Sequence, residues 1–294
     1  MRILLTGATG MLGRAITRRL LSRGDTVFAH IYDAKRGEAY EKDFPAVTAF
    51  HGELSELAGQ QRQMGRLDGI IHLAWAGTTS HDRLDSRLQE GNIASSIAVY
   101  ALGQRLGARY FFFAGSQAEY GHLGSQGPEK EDAVSPETAY GKAKCAFGEW
   151  LKERAGQDGI RYVHARIFSV YGPEDRPDSL LSQLVAAERG NGKIQLGPCT
   201  QKWNFLYADD FASLLDMSLD DPAFHGEVNF ASPETKPLRE FIAEGFDASH
   251  FSFSEVNPNP EGLLDLNPDL SRLLSLCRDY AFLPFREGVK RLGK

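Results

Sequence analysis

The chain has 294 residues, enough for one large domain or two of roughly 150 residues each. Lys and Arg total 33 against 39 Asp and Glu, and this net charge of −6 argues against a dedicated nucleic-acid binder. The 42% hydrophobic content supports a sizeable core, but no stretch reaches the roughly 20 apolar residues of a membrane helix.

The amino terminus runs through Ile3-Leu4-Leu5 into Gly7, too soon for a signal peptide. Cys145, Cys199 and Cys277 are odd in number and share no close spacing, so neither a disulfide framework nor a zinc site is expected. The eight histidines show no metal spacing, and His72 reads as core rather than as a ligand. A reduced, cytoplasmic protein without a metal is the expectation.

Short apolar runs then alternate with amphipathic stretches. Candidate strands are 2–6, 26–31, 47–50, 69–74, 109–114 and 161–167, mostly continuous runs, as strands buried on both faces require. A helical stripe of Leu12, Ile16, Leu20 and Leu21 marks 11–23. This rhythm predicts an α/β chain with a doubly wound parallel sheet. After Pro173 the rhythm loosens, with turns at Gly190-Asn191-Gly192 and Asn257-Pro258-Asn259-Pro260, and a smaller mixed carboxyl-terminal lobe is expected.

Thr6-Gly7-Ala8-Thr9-Gly10-Met11-Leu12-Gly13 joins the first strand to the first helix with spacing G-x-x-G-x-x-G. Gly7 permits a tight turn, Gly10 lets amides approach a pyrophosphate, and Gly13 lets the helix pack closely. The second strand ends without an acid, and the first carboxylate is Asp33. Lys35 and Arg36 follow at once; a cationic pair there suits a 2′-phosphate and favours NADP(H) over NAD(H). A solvated turn of mixed charge is the other reading of the same residues.

Farther on, Ser135 and Pro136 look like a helix start, which puts Tyr140 and Lys144 four apart on one face. A neighbouring ammonium favours a phenolate, so Lys144 is expected to lower the pKa of Tyr140. Upstream, 110–114 ends in Gly115-Ser116-Gln117-Ala118-Glu119-Tyr120-Gly121. That places Ser116 past the end of a central strand, where ligands bind in such sheets.

Together these features resemble the extended short-chain dehydrogenase/reductase family, whose members mostly act on nucleotide sugars. Further similar motifs are Ile71-His72-Leu73-Ala74, Asn92 in its helix, Arg166 to Pro173, Phe205 to Asp210, and the tail from Phe282 to Val289. The resemblance implies a Rossmann-type domain over 1–170 with a returning segment near 203–220, and an interleaved substrate lobe over 171–294. It implies that Tyr140 exchanges a proton with the sugar, that Ser116 polarises the same oxygen, and that Lys144 also holds the nicotinamide ribose. Glu53 and Leu54 would lie near adenine, and Leu73, Ala74, Asn92 and Ile167 along the cofactor.

Trp75, Thr78, Gln117, Phe168, Ser169 and Trp203 would line the substrate. Trp203 stands where 4-epimerase relatives carry an Arg, and either stacks on the ligand or belongs to the core. A homodimer through 85–106 and 140–154 is likewise implied. Dehydratases of this family carry Asp-Glu right after the catalytic hydroxyl; here those positions are Gln117 and Ala118, which argues against dehydration. The expected activity is 4-ketoreduction of a nucleotide-linked 4-keto-6-deoxy sugar. The alternative is a 4-epimerase with tightly held NAD. Reduction of a non-sugar carbonyl, and a regulator that binds dinucleotide without catalysis, are the remoter readings.

Overall fold

The computed structural model describes residues 1–190, 192–256 and 264–292. The turns expected at Asn191 and at 257–260 lie outside the described residues.

In chain order the first elements are β1 (Arg2–Thr6), α1 (Met11–Ser22), β2 (Thr26–Ile31), α2 (Ala34–Asp43) and β3 (Thr48–His51). Then come α3 (Gln61–Met64), β4 (Gly69–His72), α4 (Ser86–Arg105), β5 (Tyr110–Ala114), α5 (Ala139–Asp158) and β6 (Arg161–Ile167). They are followed by β7 (Ser169–Tyr171), α6 (Leu180–Arg189), β8 (Ile194–Leu196), β9 (Lys202–Tyr207), α7 (Ala208–Asp220) and β10 (Gly226–Phe230). The last are β11 (Thr235–Pro237), α8 (Leu238–Gly245), β12 (Phe251–Phe253), α9 (Ser271–Leu276) and α10 (Phe285–Val289).

Among the described residues, seven strands form one sheet in the order β10-β6-β5-β4-β1-β2-β3. The pairs from β6 through β3 are parallel. Strand order reverses between β1 and β4, the switch point where doubly wound sheets receive ligands at the carboxyl ends of their strands. The apolar runs account for this sheet, since every residue of β4 and β5 is buried. Phe111 and Phe113 of β5 pack with Phe147, Leu151 and Ala155 of α5 and with Val99 and Tyr100 of α4.

Strand β4 stops at His72, short of the expected Ala74. The Thr6 hydroxyl accepts the Ala74 N–H at 3.2 Å and draws the chain out of the ladder. Helix α5 starts at Ala139 because Thr138, not Ser135, caps it by accepting the Gly141 N–H at 3.0 Å. Tyr140 therefore sits in the first turn, with Lys144 one turn later.

One compact unit comprises Met1–Glu119, Pro136–Ile167 and Ala212–Val228. The returning segment starts later than the expected 203, because β9 pairs with β7 and β11 rather than with the large sheet. Its carboxyl end is tied down by charge. Arg23 binds Asp216 and Asp220, and the Arg161 guanidinium donates to the carbonyls of Ser218, Leu219 and Phe224.

The second unit comprises Tyr120–Ser135, Phe168–Phe211 and Asn229–Lys294. Its larger core gathers Tyr171, Phe205, Phe241, Phe246 and Phe285. Among the described residues, β11-β9-β7 and β12-β8 form its small sheets. Glu129 pins 267–269 within this unit. Its N–H donates to the Asn267 carbonyl, its carbonyl accepts the Asp269 N–H, and its Oε2 accepts the Asn267 N–H at 2.7 Å.

Glu129 is 1% exposed and its Oε1 has no hydrogen-bond partner. Burial pushes this carboxyl up to about 7, aided by Asp265 and opposed by the Asn267 hydrogen bond. Because the folded pKa is raised, the stability it confers is complete below about 4.5 and is lost as pH rises through about 7. Glu129→Gln is therefore expected to gain on wild type by on the order of 1–3 kcal/mol between mildly acidic and mildly alkaline pH. Thermal melts of both proteins across that range check it; a pH-independent difference refutes it.

Candidate active site

The turn from Thr6 to Gly13 is shaped by what glycine allows. Gly7 has φ +74°, and a Cβ there would stand 2.8 Å from the Ala74 nitrogen. A Cβ on Gly13 would lie 2.4 Å from the Gly7 carbonyl oxygen, so only glycine lets α1 settle onto the turn. Gly10 is the N-cap of α1, with no side-chain cap and no acid in the first turn. The helix end at Met11 and Leu12 thus keeps its partial positive charge for an anion. These features fit a dinucleotide pyrophosphate.

Asp33 caps α2 by accepting the Arg36 N–H at 2.9 Å, while the Lys35 and Arg36 side chains are exposed. Glu53 is engaged in a capping box with Glu56, and Leu54 packs against the main core cluster. Asn92 clamps the segment after β4, its Oδ1 accepting the Ala76 N–H and its Nδ2 donating to the Ala76 carbonyl. Leu73 donates its N–H to the Thr6 carbonyl at 3.2 Å, and Ile167 is half-buried at the end of β6.

His72 lies beneath, bonded to the Thr6 and Ser96 hydroxyls. Burial, with Lys144 nearby, drives its pKa down to about 3, so it is a neutral core residue. Among the described residues no group of His, Cys, Asp and Glu is placed to hold a metal ion.

Ser116, Tyr140 and Lys144 come together at the carboxyl end of β5. Tyr140 is 7% exposed and its hydroxyl hydrogen-bonds the Ser116 side chain. Ser116 Oγ also accepts the Ala118 N–H at 3.2 Å. Lys144 is 3% exposed and donates to the Ala114 carbonyl at 2.6 Å, with its Nζ 3.7 Å from the centre of the Trp75 ring. Trp75 meets the Tyr140 ring edge-on and anchors its own Nε1 on Gln89.

The electrostatics differ from the expected Lys–Tyr pairing. Burial raises the Tyr140 pKa above its ordinary value; the Ser116 hydrogen bond and the Arg83 charge pull against this, and Glu119 reinforces it. Burial also pulls Lys144 down to about 7, against the attraction of Glu119 and with the repulsion of Arg83. Arg83 was not singled out by any motif. Its guanidinium lies 4.8 Å from the Tyr140 ring centre, and its Nε donates to the carbonyl of exposed Thr78.

A second unforeseen group lies below Ser116. The Glu119 carboxylate accepts the Ser116 N–H at 2.8 Å, pairs with His164 Nε2 at 3.0 Å and accepts from Arg166 Nε at 2.8 Å. Burial works against its charge, but His164 and Arg166 hold it down at about 2. It is therefore a committed anion, not a free acid. The sequence signal was His164 and Arg166 at alternate positions of a buried strand. Gly115 and Gly148 flank His164, and a Cβ at either would come within 2.4 Å of its ring.

Gln117 Oε1 is buried without a partner, as a ligand-facing amide would be. The remaining expected substrate residues lie in the second unit. Phe168 is 2% exposed and packed with Tyr120, Ala231 and Leu266, so its ring belongs to the core rather than to a ligand surface. Ser169 opens β7 opposite Phe205. Trp203 packs among the apolar residues of this unit, with its Nε1 buried and unpartnered.

Among curated relatives, the ADP-L-glycero-D-manno-heptose-6-epimerase of Cupriavidus pinatubonensis is 23% identical over 82% of this chain and 76% of its own. The dTDP-6-deoxy-L-talose 4-dehydrogenase (NAD(+)) of Aggregatibacter actinomycetemcomitans is 25% identical over 83% and 90%. A solved UDP-glucuronic acid 4-epimerase from Bacillus cereus, in complex with UDP-glucuronic acid and NAD, shares the fold. Its TM-score is 0.82 at 20% identity, covering 99% of this chain and 97% of that one. With residues 3–230 matching the NAD dependent epimerase/dehydratase family, the chain belongs to that family and is an enzyme of the extended short-chain dehydrogenase/reductase type.

Proposed function

We propose that this enzyme reduces the 4-keto group of a nucleotide-linked 4-keto-6-deoxy sugar, with Tyr140 as proton donor. The observation that carries the reading is the Tyr140 phenol, which burial keeps protonated at neutral pH, hydrogen-bonded to Ser116 beside Lys144. Ser116 donates to the same substrate oxygen and fixes where the proton arrives. Gln117, with its unpartnered Oε1, is positioned next to Ser116 to bind a sugar hydroxyl. A nicotinamide dinucleotide bound over Gly7, Gly10 and Gly13 would supply the hydride.

Lys35 and Arg36, exposed after β2, support NADP(H), whereas the Bacillus cereus structure contains NAD. Dehydration is disfavoured. Gln117 and Ala118 offer no carboxylate, and the next acid, Glu119, is spent on His164 and Arg166.

A 4-epimerase with retained NAD is the second reading, supported by the 4-epimerase name of the Bacillus cereus structure, whereas the Cupriavidus pinatubonensis relative is named a 6-epimerase. The test combines native mass spectrometry of the purified protein with a thermal-shift panel of UDP-, GDP-, CDP- and dTDP-sugars. Active nucleotides then go into a nicotinamide absorbance assay. Ketoreduction predicts stoichiometric loss of reduced cofactor with the 4-keto substrate. Retained NAD and sugar isomerisation without net cofactor use establish the epimerase instead, and no response to any nucleotide removes both.

A further inference from the structure

Arg83 belongs to a braced turn after β4. Its N–H donates to the Thr79 carbonyl at 3.0 Å, and its Nε to the Thr78 carbonyl at 3.1 Å. The preceding Asp82 is occupied by the Thr79 hydroxyl at 2.6 Å, and its carbonyl accepts from Gln89 of α4 at 3.0 Å. Gly77 adopts φ +69°, where a Cβ would collide with Leu88, so the loop is shaped around α4. Among the described residues no carboxylate pairs with Arg83. The guanidinium is thus held by backbone and delivered, unneutralised, over the face of the Tyr140 ring at 4.8 Å.

The charged and polar groups facing Tyr140 come from four places. Ser116 follows β5, Glu119 lies in the turn behind it, Lys144 is one turn along α5, and Arg83 comes from the loop after β4. Glu119 is balanced by Arg166 and His164. Lys144 Nζ lies 5.6 Å from the Tyr140 ring centre, directed to the Ala114 carbonyl and the Trp75 ring instead. A buried ammonium can lose its proton near neutral pH, whereas a guanidinium stays charged throughout.

We propose that Arg83 is a positioning residue for catalysis, whose permanent charge stabilises the phenolate left when Tyr140 gives its proton to the substrate oxygen. The step is balanced within the proposed reaction. The O–H bond of Tyr140 breaks, the proton passes to the oxygen that becomes the sugar hydroxyl, and the negative charge left on the phenol is delocalised into the ring that the guanidinium overlies at 4.8 Å. This inference rests on Tyr140 being the proton donor.

The test is the pH dependence of kcat and KM for wild type, Arg83→Gln and Arg83→Lys, together with a tyrosinate absorbance titration of each. The Tyr140 contribution is isolated by subtracting the same variant carrying Tyr140→Phe. Arg83→Gln is expected to move the Tyr140 limb and its absorbance titration upward by about one pH unit and to lower kcat about tenfold. KM should stay within about threefold, and Arg83→Lys should restore much of the shift by retaining a cation.

An unmoved limb and titration in a folded Arg83→Gln protein overturn the proposal. So does a rise in KM alone, which would make Arg83 a substrate contact. If Arg83→Gln fails to fold, a shift equal in size and direction to that expected for Arg83→Gln, but seen in Arg83→Lys, also overturns it, since the charge is kept there. Full activity in Tyr140→Phe defeats the proton-donor reading itself, an outcome the absorbance titration of Arg83 variants keeps separate.

Discussion

Tyr140→Phe is expected to lower turnover by about 10²–10⁴-fold, an increase of roughly 3–5 kcal/mol in the barrier. Only the hydroxyl is lost. The ring keeps its edge contact with Trp75 and its place beneath Arg83, so thermal stability should change by less than about 1 kcal/mol. Ser116 Oγ retains its bond from the Ala118 N–H, which keeps the turn intact. Cofactor binding should survive too, since the glycine turn at Gly7 to Gly13 makes no use of the phenol. The measurement is kcat beside the melting shift produced by NADP(H) or NAD(H). A variant that binds cofactor normally and turns over at near wild-type rate would remove Tyr140 from the chemistry.

Arg83 and the Glu119 group explain where sequence reasoning reached its limit. The sheet was legible because β1, β4 and β5 are continuous apolar runs, a pattern produced by burial on both faces. The glycine turn was legible for a similar reason, since three positions there tolerate no Cβ or need to expose amides. Ser116, Tyr140 and Lys144 were each findable through a strand end or a helical spacing.

Arg83 carried no such mark. Its role depends on a loop closing over α5, some 57 positions away in sequence, and on a backbone carbonyl acceptor that any residue type at position 78 could supply. The cap of α5 was misplaced because Ser135-Pro136 and Thr138 all suit a helix start, and only the reach of one hydroxyl to Gly141 distinguishes them. Tyr120–Ser135 joins the second unit through Glu129 and its pairing with 267–269, a long-range backbone contact that leaves no periodicity behind.

Glu119→Ala is expected to destabilise the enzyme by about 3–5 kcal/mol, the range for removing one partner of a buried ion pair. Glu119 is fully buried, and its loss would remove the carboxylate to which the Arg166 guanidinium, at 5% exposure, donates. It would also leave the Ser116 N–H without an acceptor. At roughly 2–4 °C per kcal/mol for a protein near this size, melting should fall by about 6–20 °C. Glu119→Gln keeps the shape but not the charge, and turns an amide N–H toward donors, so most of the loss should remain.

The pH dependence separates this from simple loss of packing. The folded carboxyl is depressed to about 2, so its contribution is present above about 4.5 and is lost as pH falls through about 2. The gap between wild type and Glu119→Gln should therefore narrow toward acid, whereas the Glu129→Gln difference grows toward alkali. Activity carries a third readout. Because the Glu119 carboxylate holds the amide of Ser116, the surviving folded fraction of Glu119→Gln should show reduced kcat even at temperatures far below its melt. A gap below about 2 °C at neutral pH, or one that does not change with acid, would mean that the Glu119 carboxylate does not carry this stability.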